Sequence, residues 1–396
     1  MKENEYTNRF TLCNVRIVLE DRIEEGSVVI ANGLIERIDV GSKAESGADR
    51  SVIDGEGGYV LPGFIDMHVH GGFGADFMDA SRDSYDKITG FHAANGTTTM
   101  LATTMTAPKS SIEAVLEAAA EYRSAGMPYA ALHGVHLEGP FISEKWPGAQ
   151  NPAYILNPQL SWMQEWAERW PGLISQLTLA PEKEGSAETI AWTSQNGIVT
   201  ACGHTDALYT EIEAAADAGL SQAVHTYNAM RGLHHREPGT LGAVLTDNRI
   251  HAELIADGHH VHPVAIRLLV AAKPADKVIL ITDAMSAAGM PDGQYELGAL
   301  PVIVKDGVAR LAEGKALAGS SLTMIGAFRY MLANTSLSIP QISIMASGNA
   351  ARQLRIDDRT GSIAVGKQAD LILTDADLNV RRTWVQGRTV YTSHAS

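Results

Sequence analysis

The chain has 396 residues, of which 45% are hydrophobic and 19% charged, and its formal net charge is −15. This length predicts one large domain with an accessory domain, or two domains. The acidic balance argues against nucleic acid and anionic membranes as partners, and an anionic ligand would need a local basic pocket.

The start of the chain and its cysteines favour a soluble cytoplasmic protein. The first residues, MKENEYTNRF, are polar and lack the apolar core of a signal peptide. No apolar run approaches the roughly 20 residues that a membrane span requires. Two cysteines, Cys13 and Cys202, lie far apart in sequence and give no disulfide framework.

The first sixty residues read as short strands. The segments FTLCNVRIVL, GSVVIANG and LIERIDV are rich in β-branched residues. The Asn32-Gly33 pair between the last two segments predicts a tight hairpin.

The middle of the chain alternates between apolar runs and helical segments. Eight runs are rich in apolar and β-branched residues: VLPGFIDMHV, TTTMLATTM, ALHGVHLEG, SQLTLAPE, GIVTACGH, QAVHTYN, IHAELIADG and KVILITDA. Between them lie segments with helical character, such as SSIEAVLEAAAEYRSAG, PQLSWMQEWAERW and YTEIEAAADAG. Eight runs joined by helix-length stretches predict a TIM-like (β/α)8 barrel, with an open doubly wound sheet as the alternative.

The last thirty residues resemble the first sixty in pattern. ADLILTDADL is followed by RRTWVQGRTVYT, in which Gln386-Gly387 marks a turn. Strand-rich ends around a different middle predict one small β-domain assembled from residues 1–61 and 364–396, beside a barrel of residues 62–363. Two separate caps would give the same pattern.

Polar, chemically capable residues stand at the C-terminal ends of the barrel runs. They are His68, His70, His136, Glu138, His204, His225, Asp257 and Asp283. Barrel enzymes build their active sites at that face from the ends of several strands. Random placement would scatter such residues along the buried strands, where a charge is costly. The pattern therefore favours a barrel with one shared site.

Four imidazoles and two carboxylates in this set suit Zn²⁺ or Fe²⁺: His68, His70, Glu138, His204, His225 and Asp283. Structural zinc sites favour closed, cysteine-rich shells, whereas a catalytic metal lowers the pKa of a bound water to about 7 and polarises a carbonyl. A single histidine at a strand end is more often a hydrogen-bonded core or loop residue, and Asp283 could cap a helix. Placement at five separate strand ends favours the metal site. His92, His251 and His262 lack this placement, so we expect them to be structural or surface residues.

A local basic cluster follows the sixth run. The loop RGLHHREPG, Arg231 to Gly239, holds two arginines and two histidines, and DGHHVH adds imidazoles after run seven. This loop could simply be solvated. Beside a metal site it is a candidate anion-binding segment, since arginine makes bidentate phosphate contacts.

At these residues the chain resembles the N-acetylglucosamine-6-phosphate deacetylases of the amidohydrolase superfamily. The resemblance spans nearly the whole chain and rests on LPGFIDMHVHGG, HLEGPF, GHTDA, HTYNAM, REPG, IADGHHVH, ITDAM, LAGSSLTM and GSIAVGKQADLIL. It implies a metal-dependent barrel with a small β-sandwich from both chain ends. It also implies hydrolysis of the acetamide of N-acetylglucosamine 6-phosphate to glucosamine 6-phosphate and acetate.

The resemblance assigns roles to individual residues. It implies that Glu138, His204 and His225 form a universal metal site, that His68 and His70 allow a second metal, and that Asp283 is the catalytic aspartate. Run four, LAPEKE, lacks the carboxylated lysine of many superfamily members, so Glu138 would bridge the metals instead. The implied substrate contacts are Ala149, Asn228, Ala229, Arg236, His260 and the backbone of Leu317, Ala318 and Gly319. Gln150 replaces a histidine that some relatives carry, which puts one sugar contact in doubt.

The expected mechanism uses Asp283 to take a proton from water and deliver it to the leaving amine. Arg236 would hold the phosphate, and His136 or His260 would polarise the acetyl carbonyl. Family members are commonly homodimers in which that arginine can cross the interface. Three alternatives stay open: an N-acetylgalactosamine 6-phosphate deacetylase, a different amidohydrolase reaction, and an inactive barrel scaffold.

Overall fold

The computed structural model describes residues 9–41, 51–314 and 316–393. The predicted polar start MKENEYTN lies outside the described residues. The strands in chain order are β1 (Arg9–Val18), β2 (Ile23–Ala31), β3 (Leu34–Val40), β4 (Ser51–Asp54), β5 (Tyr59–Pro62), β6 (Phe64–Asp66), β7 (Gly71–Gly72), β8 (Ala75–Asp76), β9 (Thr97–Thr103), β10 (Ala131–Glu138), β11 (Ile174–Leu179), β12 (Val199–Cys202), β13 (Gln222–Ala223), β14 (His251–Ile255), β15 (Val278–Ile281), β16 (Gly293–Leu297), β17 (Leu300–Lys305), β18 (Val308–Leu311), β19 (Leu371–Thr374), β20 (Val380–Val385) and β21 (Arg388–Thr392).

Ten α-helices lie among the described residues. They are α1 (Arg82–Ala94), α2 (Lys109–Ser124), α3 (Leu160–Arg169), α4 (Ser186–Gln195), α5 (Tyr209–Ala218), α6 (Gly239–Thr246), α7 (Pro263–Ala272), α8 (Met324–Asn334), α9 (Ile339–Ser343) and α10 (Asn349–Gln353), the last two joined by a π-helical turn, Ile344–Gly348. Short 3₁₀ turns span Phe77–Asp79, Pro152–Tyr154 and Ala275–Lys277. None of these helices, within the described ranges, is long and apolar enough to cross a membrane.

Both chain ends contribute to one sheet. Its order is β21-β20-β19-β5-β1-β2-β3, with β4 paired to β1. The strand from the C-terminal part, β19, pairs antiparallel with β5 from the N-terminal part. Leu12, Val28, Val60, Leu371 and Trp384 pack together in the core of this region. The small β domain expected from both ends is therefore present, as one continuous sheet; the exact boundaries, 61/62 and 363/364, stay a prediction.

Both predicted hairpin turns are confirmed in the small domain. Asn32 and Gly33 have φ values of 52° and 79°, and Gln386 and Gly387 have φ values of 50° and 72°. Positive φ at both central residues is the type I′ geometry that matches the twist of the flanking strands. A Cβ on Gly33 would lie 2.7 Å from the carbonyl oxygen of Gln386, so the two turns also pack against each other.

The eight apolar runs form one parallel sheet in sequence order, β6-β9-β10-β11-β12-β13-β14-β15. Hydrogen bonds at the carboxyl ends of the first and last strands, β6 and β15, join the two edges of this sheet. Thr282 donates its hydroxyl to Oδ2 of Asp66 at 2.5 Å, and the amide of Asp283 donates to the carbonyl of His68 at 2.8 Å. The (β/α)8 barrel is confirmed over the open sheet, and its carboxyl ends converge at one face.

The connections carry the predicted helices and two unpredicted sheets, the smaller of which pairs β7 with β8. The three helical segments chosen from the sequence correspond to α2, α3 and α5. Between β15 and α8, the strands β16, β17 and β18 form an antiparallel sheet. Its buried side chains Leu297 and Val302 pack with Met105 and Met285, which places this sheet against the carboxyl end of the barrel.

Candidate active site

The six predicted ligands meet at the carboxyl end of the barrel. His68 and His70 follow β6, Glu138 is the last residue of β10, and the other three each stand two residues beyond β12, β13 or β15. His204, His225 and Asp283 have φ values of 47°, 29° and 49°. Left-handed backbone at non-glycine residues costs about 1–3 kcal/mol and persists where the surrounding structure fixes it, commonly at functional sites.

Glu138 lies at the centre of this group. Its Oε1 atom is 3.2 Å from Nε2 of His68, 3.2 Å from Nε2 of His204 and 3.1 Å from Nε2 of His225. Its Oε2 atom is 3.2 Å from Nε2 of His70. Donor atoms that surround a tetrahedral metal at about 2.0–2.1 Å lie about 3.3 Å from one another. The spacing therefore fits a metal held by Glu138 and the histidines.

Asp283 joins the same group from the other side. Its Oδ1 atom is 3.3 Å from Nε2 of His70 and 3.6 Å from Nε2 of His68. Two groups have donor atoms close enough to share an ion: His68, Glu138 and His225, and His68, His70 and Asp283. Because His68 belongs to both, the two candidate positions are adjacent.

Hydrogen bonds orient the histidines toward this centre. Nδ1 of His204 is 2.9 Å from the carbonyl of Trp146, and Nδ1 of His225 is 3.2 Å from the carbonyl of Asn228. A carbonyl only accepts, so each Nδ1 carries a proton, and in the neutral form of each ring Nε2 presents a lone pair. These two Nε2 atoms lie 3.1 Å apart and beside the Glu138 carboxylate. Lone pairs and negative charge that converge in this way require a cation.

Without a metal, protons balance this charge. Burial opposes ionisation of Glu138, but the His68 charge and hydrogen bonds from His204 and His225 hold its pKa well below the ordinary value. Burial also opposes protonation of His70, but Asp283 and Glu138 raise its pKa to about 9. A divalent metal would displace such protons, because histidine binds metals in its neutral form.

A cavity of about 310 Å³ opens above the ligands. The predicted ligands that line it are His70, Glu138, His204, His225 and Asp283, and the predicted substrate contacts that line it are Ala149, Asn228, Ala229, His260, Leu317 and Gly319. His68 lies behind His70 and is fully buried. Ala318 is also buried, and neither it nor Arg236 is among the described residues that line the cavity.

His260 is held at the cavity wall by Asp257. Its Nδ1 atom is 2.6 Å from Oδ2 of Asp257, whose Oδ1 accepts the amides of His259 and His260. Burial raises the pKa of Asp257, but the bonds from His260 outweigh it and the pKa is lowered. His260 itself lines the cavity.

His136 lies below the cavity instead of in its wall. Its ring centroid is 4.6 Å from that of His68, and its nitrogens face the hydroxyls of Thr103 at 3.3 Å and Thr178 at 2.7 Å. Burial, and then the charge of His68, hold its pKa well below the ordinary value. This position does not support contact between His136 and a substrate carbonyl.

Sequence reasoning missed a polar layer beneath the ligands. Glu253 in β14, Gln176 in β11 and Gln222 in β13 are fully buried and hydrogen-bonded to one another. The sequence does indicate this layer, because each of the three is a polar residue inside an otherwise apolar run. Gln150 stands where some relatives carry a histidine, and nothing in the sequence indicates its contact in this protein. Its amide donates to Oε2 of Glu138 at 2.6 Å. His92 is buried against the Gly71 carbonyl, and His262 caps α7, so both are structural as expected.

A parallel barrel with a histidine and carboxylate cluster at its carboxyl end defines the class of amidohydrolase-like barrels. The sequence profile of the amidohydrolase family matches residues 59–390, and the chain belongs to this family. It is 40% identical over 96% of its length to an N-acetylglucosamine-6-phosphate deacetylase of Bacillus subtilis, 96% of which is covered. It is 41% identical over 85% of its length to an N-acetylgalactosamine-6-phosphate deacetylase of Escherichia coli O157:H7, 89% of which is covered.

Solved structures agree with the sequence comparison. The fold is similar, with a TM-score of 0.91 and 32% identity, to an N-acetyl-D-glucosamine-6-phosphate deacetylase of Mycobacterium smegmatis. The match covers 97% of this chain and 100% of that one, which is an aspartate-to-alanine variant in complex with N-acetyl-D-glucosamine-6-phosphate.

Proposed function

We propose that the chain hydrolyses the acetamide of N-acetylglucosamine 6-phosphate to glucosamine 6-phosphate and acetate. The observation that carries the chemistry is the convergence of three histidine Nε2 atoms on Oε1 of Glu138, at the floor of a cavity. The names of the most similar relatives supply the substrate.

We infer that the chain binds one or two divalent metals, with Zn²⁺ or Fe²⁺ favoured by the nitrogen and oxygen donors. Glu138, His204 and His225 would hold the first, and His68, His70 and Asp283 the second, with Glu138 between them. When bound, such a metal activates water as a nucleophile at neutral pH and polarises the scissile carbonyl.

Asp283 is the proposed proton carrier. Its carboxylate lines the cavity and is 12% exposed, so it can reach both a water and a substrate nitrogen. As the water oxygen bonds to the acetyl carbon, Asp283 takes one water proton. It then donates this proton to the amine nitrogen as the carbon–nitrogen bond breaks, because an unprotonated amide nitrogen is a very poor leaving group.

The cavity wall would orient the sugar. Asn228 and His260 offer polar side chains, and Ala149, Ala229 and Gly319 offer backbone, all at positions that line the cavity. Of the two residues considered for polarising the carbonyl, only His260 lines the cavity, and we retain it in that role. Correct placement of the acetamide converts a bimolecular reaction into an effectively unimolecular one.

Arg236 is proposed to serve the site of a second subunit. In its own chain its guanidinium is exposed and contacts His235, outside the cavity lining. The same loop exposes Leu233, with 55% of its surface accessible, so an apolar side chain lies near Arg236 on the surface. We infer a homodimer in which Arg236 binds the 6-phosphate in the partner's cavity.

Mixing two inactive variants tests this arrangement. Arg236→Ala lacks the phosphate contact and Asp283→Asn lacks the proton carrier. If Arg236 acts across the interface, a hybrid dimer has one complete site, and random exchange restores about a quarter of wild-type activity. No recovery in dimers shown to exchange subunits would contradict the trans role.

The substrate is tested by acetate release from N-acetylglucosamine 6-phosphate, the unphosphorylated sugar and N-acetylgalactosamine 6-phosphate, with metal content measured on the same sample. Fast turnover that requires the phosphate, with one to two metals per chain, is expected. Preference for the galactose epimer would favour the second candidate function, which the relative of Escherichia coli O157:H7 supports. A metal-free chain that turns over none of the three would indicate an inactive scaffold.

Because the proposed substrate is a charged sugar phosphate, we also propose a cytoplasmic location.

A further inference from the structure

Glu253 is a carboxylate buried inside the barrel, beneath the ligand cluster. It stands in the middle of β14 and is fully inaccessible to solvent. Its Oε2 atom is 2.9 Å from Nδ1 of His68. Its Oε1 atom accepts from Nε2 of Gln176 at 2.9 Å and from Nε2 of Gln222 at 2.5 Å.

The two amides fix the orientation of this carboxylate. Gln222 also donates to the amide oxygen of Gln176 at 3.0 Å, so both glutamines direct their NH₂ groups toward Glu253. With Oε1 satisfied by two donors, Oε2 is left for His68. An ionised carboxylate only accepts hydrogen bonds, so the proton of this contact belongs to Nδ1 of His68.

This contact determines what the other side of His68 offers. Nε2 of His68 has no hydrogen-bond donor or acceptor assigned to it among the described residues, and it lies 3.2 Å from Oε1 of Glu138 and 3.6 Å from Oδ1 of Asp283. His204 and His225 instead use neutral carbonyls as their partners. Nδ1 of His70 has no hydrogen-bond partner among the described residues. On the Nδ1 side, therefore, the histidine with an anionic partner is His68. A carboxylate behind a ligating histidine fixes its tautomer and raises its basicity.

A purely structural role would not explain a carboxylate here. A glutamine in place of Glu253 would hydrogen-bond to the same amides without the cost of burying a charge. Within the described ranges, the hydrogen bonds of Glu253 include no lysine or arginine, so its charge is compensated through His68 and the cation that His68 would bind.

We propose that Glu253 is a positioning residue that holds His68 in the Nδ1–H form and thereby sets the metal affinity of the position formed by His68, His70 and Asp283. This inference rests on the proposed metal site, but not on the identity of the substrate. Loss of such a partner typically lowers metal affinity 10- to 100-fold.

Cobalt titration of the metal-free protein tests the role of Glu253. Wild type, Glu253→Gln and a matched control, Asp370→Asn, are stripped with a chelator and titrated with Co²⁺ against a competing chromophoric chelator. Asp370 is also a buried carboxylate, bonded to Thr360 in the small domain, so its variant controls for the loss of a buried charge alone. Proton NMR of the Co²⁺ forms supplies a second readout, the shifted Nδ1–H resonances of ligating histidines.

We expect Glu253→Gln to weaken at least one Co²⁺ equivalent 10- to 100-fold and to shift or remove one Nδ1–H resonance, while Asp370→Asn stays within twofold of wild type. Affinities within twofold of wild type and unchanged resonances in Glu253→Gln would overturn the proposal. Wild type that binds no Co²⁺ would instead contradict the metal site itself. If Glu253→Gln does not fold, Glu253→Asp keeps the charge but withdraws it from His68, and wild-type affinity in that variant would equally overturn the proposal.

Discussion

Replacing Gln150 with methionine tests how the site is supported from the side of the cavity. The side chain of Gln150 is 3% exposed. Its Nε2 atom donates to Oε2 of Glu138 at 2.6 Å, and its Oε1 atom accepts the backbone amide of Thr106 at 2.6 Å. Methionine has nearly the same length, so Gln150→Met removes both hydrogen bonds while largely preserving the packing.

The two lost hydrogen bonds determine how far the free energy of unfolding falls. A hydrogen bond to a charged group contributes about 1.5–3 kcal/mol, and a buried amide left without a partner costs about 1–3 kcal/mol. Together the two losses lower the free energy of unfolding by about 2.5–6 kcal/mol. An unfolding entropy of about 2.1 cal/mol/K per residue, applied to this chain, converts that loss into a fall of about 3–7 °C in Tm.

Calorimetry and steady-state kinetics together show whether Gln150 supports Glu138 and Thr106 or contacts the sugar. If its amide is fully engaged by Glu138 and Thr106, Gln150→Met lowers Tm while KM for the sugar phosphate changes less than about threefold. Gln150→Glu is the matched variant, because it keeps an acceptor for Thr106 but places a carboxylate against Glu138. An unchanged Tm with a tenfold rise in KM would refute this reasoning and assign Gln150 to the sugar.

Three further outcomes follow from the structure. Asp283→Asn should keep metal bound to Glu138 and the histidines yet lower kcat by about 10²–10⁴, measured by acetate release with metal analysis. Lys273→Met should lower Tm by a few degrees, because Nζ donates to the carbonyls of Val244 and Asp247 beside the end of α6, and each buried acceptor left unpaired costs about 1–3 kcal/mol. Burial lowers the pKa of His251 to about 4. As the pH falls through about 6.5, His251 is therefore protonated in the unfolded chain before it is protonated in the folded one. The free energy of unfolding should drop by about 2 kcal/mol between pH 7.5 and pH 5. His251→Gln should flatten that part of a Tm–pH profile.

The fold was largely predictable because its strands are of two recognisable kinds. The barrel strands are buried on both faces, as in β9, where all seven residues are buried, and so they appear as continuous apolar runs. The hairpins were predictable because Asn-Gly and Gln-Gly tolerate positive φ. The sheet of β16 to β18 was not predicted, although the alternation of exposed and buried residues in β17 is typical of a half-buried strand. Closure of the barrel by a Thr282–Asp66 side-chain contact has no sequence signal.

The ligand set was predictable for a similar reason. Each ligand ends an apolar run, and parallel strands bring their carboxyl ends to one face. The height of a residue within the barrel was harder to infer. His136 stands two residues before Glu138 and so points the same way, but about 6.6 Å lower along the strand, below the cavity. The position of Arg236 outside the cavity lining was equally hard to infer, because sequence gives a charge without its distance from the cavity.

The barrel interior is layered, and the layers explain why the site is suited to a divalent cation. Ile65, Val199 and Ile279 belong to an apolar cluster formed by the barrel strands. Beneath the ligands lies a hydrogen-bonded polar layer that includes Glu253, and at the carboxyl end lies Glu138. The hydrogen bonds of both carboxylates come from histidines and amides, and a buried charge without a cation is costly. In the absence of a metal, protons on the histidines can offset that cost, but they then occupy the same Nε2 atoms that would ligate a metal. The same arrangement that makes the metal-free site depend on protons therefore favours a divalent ion, which satisfies the carboxylates and the histidine lone pairs together.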